Sequence, residues 1–181
     1  RDKAFAKAFN KYFGMGMSSV VFQEVRELRS MAYTAYAYYS TSDNKQNNAY
    51  FKGFLGTQAD KTTEAINLMD SLIKNFPEKR ERIKNLKHHL KQSINTETPG
   101  FRNISYLVEK WNDKGYYEDP RIRRYDFYEE ITMRQLSVYH VNNFTNSPMI
   151  IALVGNSKNI DMDKLKEMGE FVELKEKDVL K

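Results

Sequence analysis

The chain has 181 residues, a formal charge of +5, no cysteine, 40% apolar and 29% charged residues, and a mean hydropathy of −0.73. That length and balance suit one domain with its own core, for which 12 Tyr and 11 Phe supply the bulk. Disulfides, cysteine-ligated zinc and thiol catalysis are excluded, and no apolar run approaches the roughly 20 residues a membrane-spanning helix needs.

The chain opens at Arg1 inside a helical pattern and shows no signal peptide, which reads as a cut within a longer protein. Phe5, Phe9, Tyr12 and Phe13 fall on one helical face, and Gly14 and Gly16 end that helix. Ser18 or Ser19 caps a second helix, with Val21, Val25 and Leu28 as its buried stripe and Glu24, Glu27 and Arg29 largely elsewhere. Tyr33–Tyr39 and Ala49–Thr57 have strand composition. The polar run Thr41–Asn47 between them makes the pair a hairpin. Small Ala35 and Ala37 share one side of the first strand and leave room for a closely packed helix.

Ala65, Leu68, Met69, Leu72 and Ile73 predict a helix closing near Phe76. Pro77 suits a first helical position, ahead of the stripe Ile83, Leu86, Leu90, Ile94. After Pro99-Gly100, the residues Ile104, Leu107, Val108 and Trp111 repeat with helical spacing. The charged stretch Asp119–Glu130 reads as a linker. The next helix has a marked start: Thr132 and Gln135 fit a capping box, and Ile131 and Leu136 a hydrophobic staple. Met149–Val154 reads as a short strand. Asp161 caps a brief helix with Met162, Leu165 and Met168, stopped by Gly169, and Phe171–Leu174 reads as a last strand. The order predicts an α+β fold over residues 1–181 as a single domain: a two-layer arrangement with helices packed on one face of an antiparallel sheet.

The chain holds three histidines, and neither His-Glu-x-x-His nor His-x-x-Glu-His occurs. His88 and His89 point about 100° apart on a helix and read as a solvated pair. His140 lies near its helix's apolar stripe and reads as a core residue. No Gly-x-Ser-x-Gly elbow is present, and Gly14-Met15-Gly16 lacks the third glycine and the preceding strand of a dinucleotide turn. The basic run Lys79–Lys91 has no interleaved aromatics and reads as a solvated helix face rather than a nucleic-acid site.

One segment is more specific. Tyr12-Phe13-Gly14-Met15-Gly16-Met17-Ser18-Ser19, then Val21-Phe22-Gln23-Glu24-Val25-Arg26-Glu27, then Met31-Ala32-Tyr33, resembles the opening of the second domain of pitrilysin/insulinase-type peptidases. These are the inverzincins, which include the mitochondrial processing peptidases and many bacterial zinc proteases. Gly53-Phe54-Leu55-Gly56-Thr57-Gln58 and the Thr132–Phe144 helix before Met149 resemble the same domain, so the likeness runs to about residue 155 and leaves 156–181 a less diagnostic tail. Met15 stands where many relatives have a third glycine. The family's first strand, which precedes the first helix, is absent from the pattern, and its absence leaves a sheet edge open.

The resemblance implies a substrate-binding C-terminal domain of a zinc metalloendopeptidase. The zinc and the general-base Glu would lie in an N-terminal half or a partner subunit, with no cofactor in this fragment and the fragment alone inactive. It implies a peptide substrate, held by an Arg and a Tyr seven residues apart that reach the substrate and its transition state. Arg26 and Tyr33 have that spacing; Arg29, four residues from Tyr33, does not. The alternative within the family is a non-catalytic scaffold or partner subunit. No nucleic acid and no membrane span enter either reading. Bacterial relatives often work in the cell envelope or periplasm, and the compartment rests on that resemblance alone.

Overall fold

The computed structural model describes residues 2–41, 49–145, 147–175 and 178. In chain order it contains α1 (Asp2–Phe13), a π-helical turn (Phe22–Glu27), β1 (Ala32–Ser40), β2 (Tyr50–Thr57), α2 (Thr62–Lys74) and α3 (Ile83–Thr96). There follow α4 (Ile104–Asp113), α5 (Pro120–Glu130), α6 (Met133–Phe144) and α7 (Met162–Lys166). The fold is α+β, as the sequence predicts, with helices on one face of an antiparallel pair. Most of the predicted polar turn between the strands lies outside the described residues.

The core forms where α1, α2, α3 and α6 meet the inner face of the hairpin. Phe9 sits at its centre, its ring 5.1 Å from Phe13, 4.8 Å from Phe144 and 6.2 Å from Phe76. Each such ring, fully buried, contributes roughly 1.5–3 kcal/mol. Along β1 the inward residues are Ala35, Ala37 and Tyr39, paired across the ladder with Leu55, Gly53 and Phe51. The close approach that the two alanines allow is made by the end of α1. The Ala37 N–H donates to the Gly14 carbonyl at 3.0 Å, and a Cβ on Gly14 would lie 2.0 Å from the Ala37 carbonyl oxygen.

His140 is a core residue, as its place on α6 predicts. Its Nε2–H donates to the Ile73 carbonyl at 2.5 Å, which leaves buried Nδ1 as an unpaired acceptor. The start of α6 carries the predicted capping box: Thr132 and Gln135 satisfy each other's backbone N–H groups. Asp161 caps α7 through the Lys164 N–H.

Five expectations are corrected. Leu28 is 66% exposed rather than part of a buried stripe. The π-helical turn, in which the Leu28 N–H reaches back five residues to Gln23, rotates it away from Val21 and Val25. Pro77 does not open a helix; α3 begins at Ile83 after a 3₁₀ turn, Arg80–Arg82, and the Pro77 carbonyl instead accepts the Tyr12 hydroxyl. Asp119–Glu130 is no linker: Asp119 caps α5, Pro120 fills its first position, and Tyr128 is its buried residue. The stripe of α4 buries nothing, with Ile104 and Val108 left exposed. Met149–Val154 and Phe171–Leu174 form no strand among the described residues, for neither stretch has a ladder partner there.

Candidate substrate-binding cleft

The π-helical turn and the start of β1 bring Arg26 and Tyr33 together. Ser30 between them adopts a left-handed conformation, φ 50°. Its N–H donates to the Arg26 carbonyl at 3.0 Å, and the Met31 N–H to the Val25 carbonyl at 2.9 Å. This is a left-handed helix cap widened by one residue, and it reverses the chain sharply. The ladder then jumps: Ala32 pairs with Thr57 but Thr34 with Gly56, so Tyr33 is the extra residue of a β-bulge. Bulges re-aim side chains beside functional sites. Here the bulge projects Tyr33 outward, 84% exposed.

The Arg26 guanidinium lies over two rings, its Cζ 4.9 Å from the Phe22 centroid and 5.5 Å from that of Tyr33. The negative ring faces attract the cation and favour its position at the rim. Glu27 stands 3.7 Å from Arg26 Nε. Both side chains line an open cleft of about 470 Å³, with Ser30, Met31, Gly56 and Gln58 among its other walls.

Behind the cleft, Glu24 anchors the turn. Its carboxylate takes Lys79 Nζ on one oxygen and Arg29 on the other, and Arg29 also donates to the Glu24 backbone carbonyl at 3.1 Å. Hydrogen bonds from Lys79, then Arg29, hold the Glu24 carboxyl below its ordinary pKa. The loop bearing Lys79 is in turn fixed by Tyr12, whose hydroxyl accepts from the Lys79 N–H at 2.9 Å and donates to the Pro77 carbonyl at 2.5 Å. Arg29, excluded on spacing, is therefore spent on Glu24. Sequence reading missed Phe22 and Glu24. Phe22, four residues before Arg26, was the available signal for the ring beneath it.

The other candidates fall elsewhere. His88 and His89 are exposed on α3, their rings 6.0 Å apart. Among the described residues no three His, Asp or Glu side chains group as metal ligands, and no described helix is long and apolar enough to cross a membrane. The basic run is largely engaged in the fold: Lys79 with Glu24, Lys91 with Glu129, Lys87 with the Glu129 carbonyl.

Residues 1–90 match the family model of the peptidase M16 inactive domain. The chain carries an M16 inactive domain. The π-helical turn, the bulge and both strands of the M16 hairpin lie inside the matched segment. A crystal structure described as the peptidase M16 inactive domain from Pseudomonas fluorescens superposes with a TM-score of 0.53 at 20% identity, over 80% of this chain and 34% of that one. At that identity the likeness is one of fold. The chain spans about a third of the length of the M16 structure it matches. No functionally curated protein matches it.

Proposed function

We propose that this M16 domain holds an extended peptide at the Arg26–Tyr33 cleft. It would thereby complete the active site of a zinc metalloendopeptidase whose zinc motif lies in another domain or subunit. One observation carries the reading: Arg26 lies over both the Phe22 and the Tyr33 ring at the rim of an open cleft, with the tyrosine exposed. Peptide hydrolysis develops negative charge on the scissile carbonyl oxygen, and a phenolic O–H donated to that oxygen stabilises it. The Arg26 fork suits a substrate carbonyl or carboxylate. On this reading the chain's part is to bind and polarise the substrate carbonyl.

The test is turnover of an internally quenched peptide by the full-length protein together with its zinc-bearing half. Tyr33→Phe and Arg26→Ala should each lower kcat/KM by roughly 10²-fold or more with little change in Tm. Unchanged turnover in both variants overturns the assigned roles, and stoichiometric tight zinc on this chain alone overturns the division of labour.

A second reading, a non-catalytic partner subunit of the same family, draws on the inactive-domain match. It requires that the accompanying half lack His-x-x-Glu-His, and reading that sequence separates the two.

A further inference from the structure

The helix-free face of the hairpin is an aromatic surface. Its rows, read from the cleft outward, are Thr34 opposite Gly56, Tyr36 opposite Phe54, Tyr38 opposite Lys52, and Ser40 opposite Tyr50. Tyr36 and Phe54 stack with centroids 5.2 Å apart, and Tyr38 meets Tyr50 diagonally at 6.3 Å. Phe54 is 43% and Tyr50 53% exposed. Two exposed rings packed against half-buried Tyr36 and Tyr38 make a contiguous apolar patch that is costly in water unless something covers it.

The surface is continuous with the cleft. Gly56 is a wall of that cleft, and its missing side chain would point at the Phe54 ring, 3.7 Å from Cε1, and at Thr34 Cβ, 3.6 Å away. The glycine thus keeps a level passage from Arg26 and Tyr33 onto the rings. From the Gly56 row to the Tyr50 row is about 20 Å at strand rise, the reach of roughly six extended residues. Lys52 stands in mid-path and forms no ion pair among the described residues.

We propose that this face is a substrate platform. A polypeptide held at the Arg26–Tyr33 cleft continues in extended form across Phe54/Tyr36 and then Tyr38/Tyr50. Extended chain presents every second side chain to the sheet, so the platform selects apolar or aromatic residues at alternate positions. Lys52 favours a carboxylate side chain between them. The proposal rests on the peptide-holding reading of the cleft and adds the substrate class.

The experiment measures fluorescence anisotropy of labelled decapeptides with the full-length protein in EDTA, which stops turnover. One peptide alternates Leu and Phe with a central Glu; a second replaces the alternate apolar residues with Ser; a third carries Lys for Glu. The apolar, acidic peptide should bind about tenfold tighter than either control. The paired change Tyr36→Ala with Phe54→Ala should remove the advantage over Ser. Lys52→Glu, a surface reversal that leaves the fold intact, should invert the Glu-over-Lys preference.

Unchanged affinities in these variants, with weaker binding in Arg26→Ala, overturn the platform and leave the cleft standing. Loss on the face variants with none in Arg26→Ala and Tyr33→Phe supports the platform and overturns the cleft roles. Failure of every peptide to bind, with amide exchange on β1 and β2 blocked by another segment of the full-length protein, overturns the platform as a packing surface within the protein.

Discussion

The side-chain amide of Asn10 pairs with both backbone groups of Tyr39, donating to its carbonyl at 2.8 Å and accepting its N–H at 2.7 Å. With the Gly14 carbonyl on the Ala37 N–H, the end of α1 occupies part of the outer edge of β1 as a neighbouring strand would. Alternate residues of β1 present their backbone groups outward, so the same parity places those of buried Ala35 on this edge. Asn10→Leu should therefore destabilise by about 1–3 kcal/mol, read as a lowered urea midpoint. Asn10→Asp keeps the acceptor, loses the donor and should fall between.

Gly14→Ala drives a methyl into the Ala37 backbone, which cannot rotate away as a side chain would. Its cost should reach about 1–3 kcal/mol or more. Gly16, at φ 92° with only the Lys11 amine near, should cost about 1–2 kcal/mol for the conformation alone. A Gly16→Ala loss equal to or above that of Gly14→Ala in thermal unfolding would contradict the close approach.

Glu24 and Lys79 should couple by about 1–3 kcal/mol in a double-mutant cycle of Glu24→Gln and Lys79→Met. Hydrogen bonds from Lys79 and Arg29 depress the Glu24 pKa below its ordinary 4.5, so the unfolded chain takes up the proton first. The contribution is complete above about pH 4.5 and is lost as pH falls through the lower folded value. The stability gap between wild type and Glu24→Gln should close over that window.

His140 should impose a slope at higher pH. Burial among Phe9, Phe13, Phe76 and Phe144 pushes its pKa below the ordinary 6.5, against the smaller opposing effect of the Ile73 carbonyl. Protonation then favours the unfolded chain. This contribution is full above about pH 6.5 and declines as pH drops through the folded value. His140→Leu should flatten the slope between about pH 7 and 5 while lowering stability overall, because the Ile73 carbonyl loses its donor. Denaturant midpoints across that range check both.

The parts legible in the sequence are those fixed by local signals. The stripe of α1, the hairpin, the stripe of α2 and the capping box at Thr132 all act within a few residues. What escaped depends on partners elsewhere. Met149–Val154 has strand composition but no ladder among the described residues, and composition does not supply a neighbour. In α5 the charges surround the helix and bury Tyr128 alone, so its periodicity is faint and only Asp119-Pro120 marks its start. The placement of Arg26 beside Tyr33 was legible through family resemblance. The wide turn that sets their spacing was not, since one carbonyl reaching a fifth residue leaves no trace in residue type. Glu24 was read as facing away because its partner Lys79 is 55 positions distant.

Tyr33 is the residue the β1–β2 ladder does not count. Strike it out, and Ala32 would still face the core, Thr34 would still face water, and every later pair from Thr34–Gly56 to Ser40–Tyr50 would keep its place. The hairpin thus has no architectural use for its most exposed aromatic residue on β1. A lineage that did not need the proposed substrate contact could delete the codon and keep the sheet, so the presence or loss of the tyrosine among related chains tests that contact separately from the ladder.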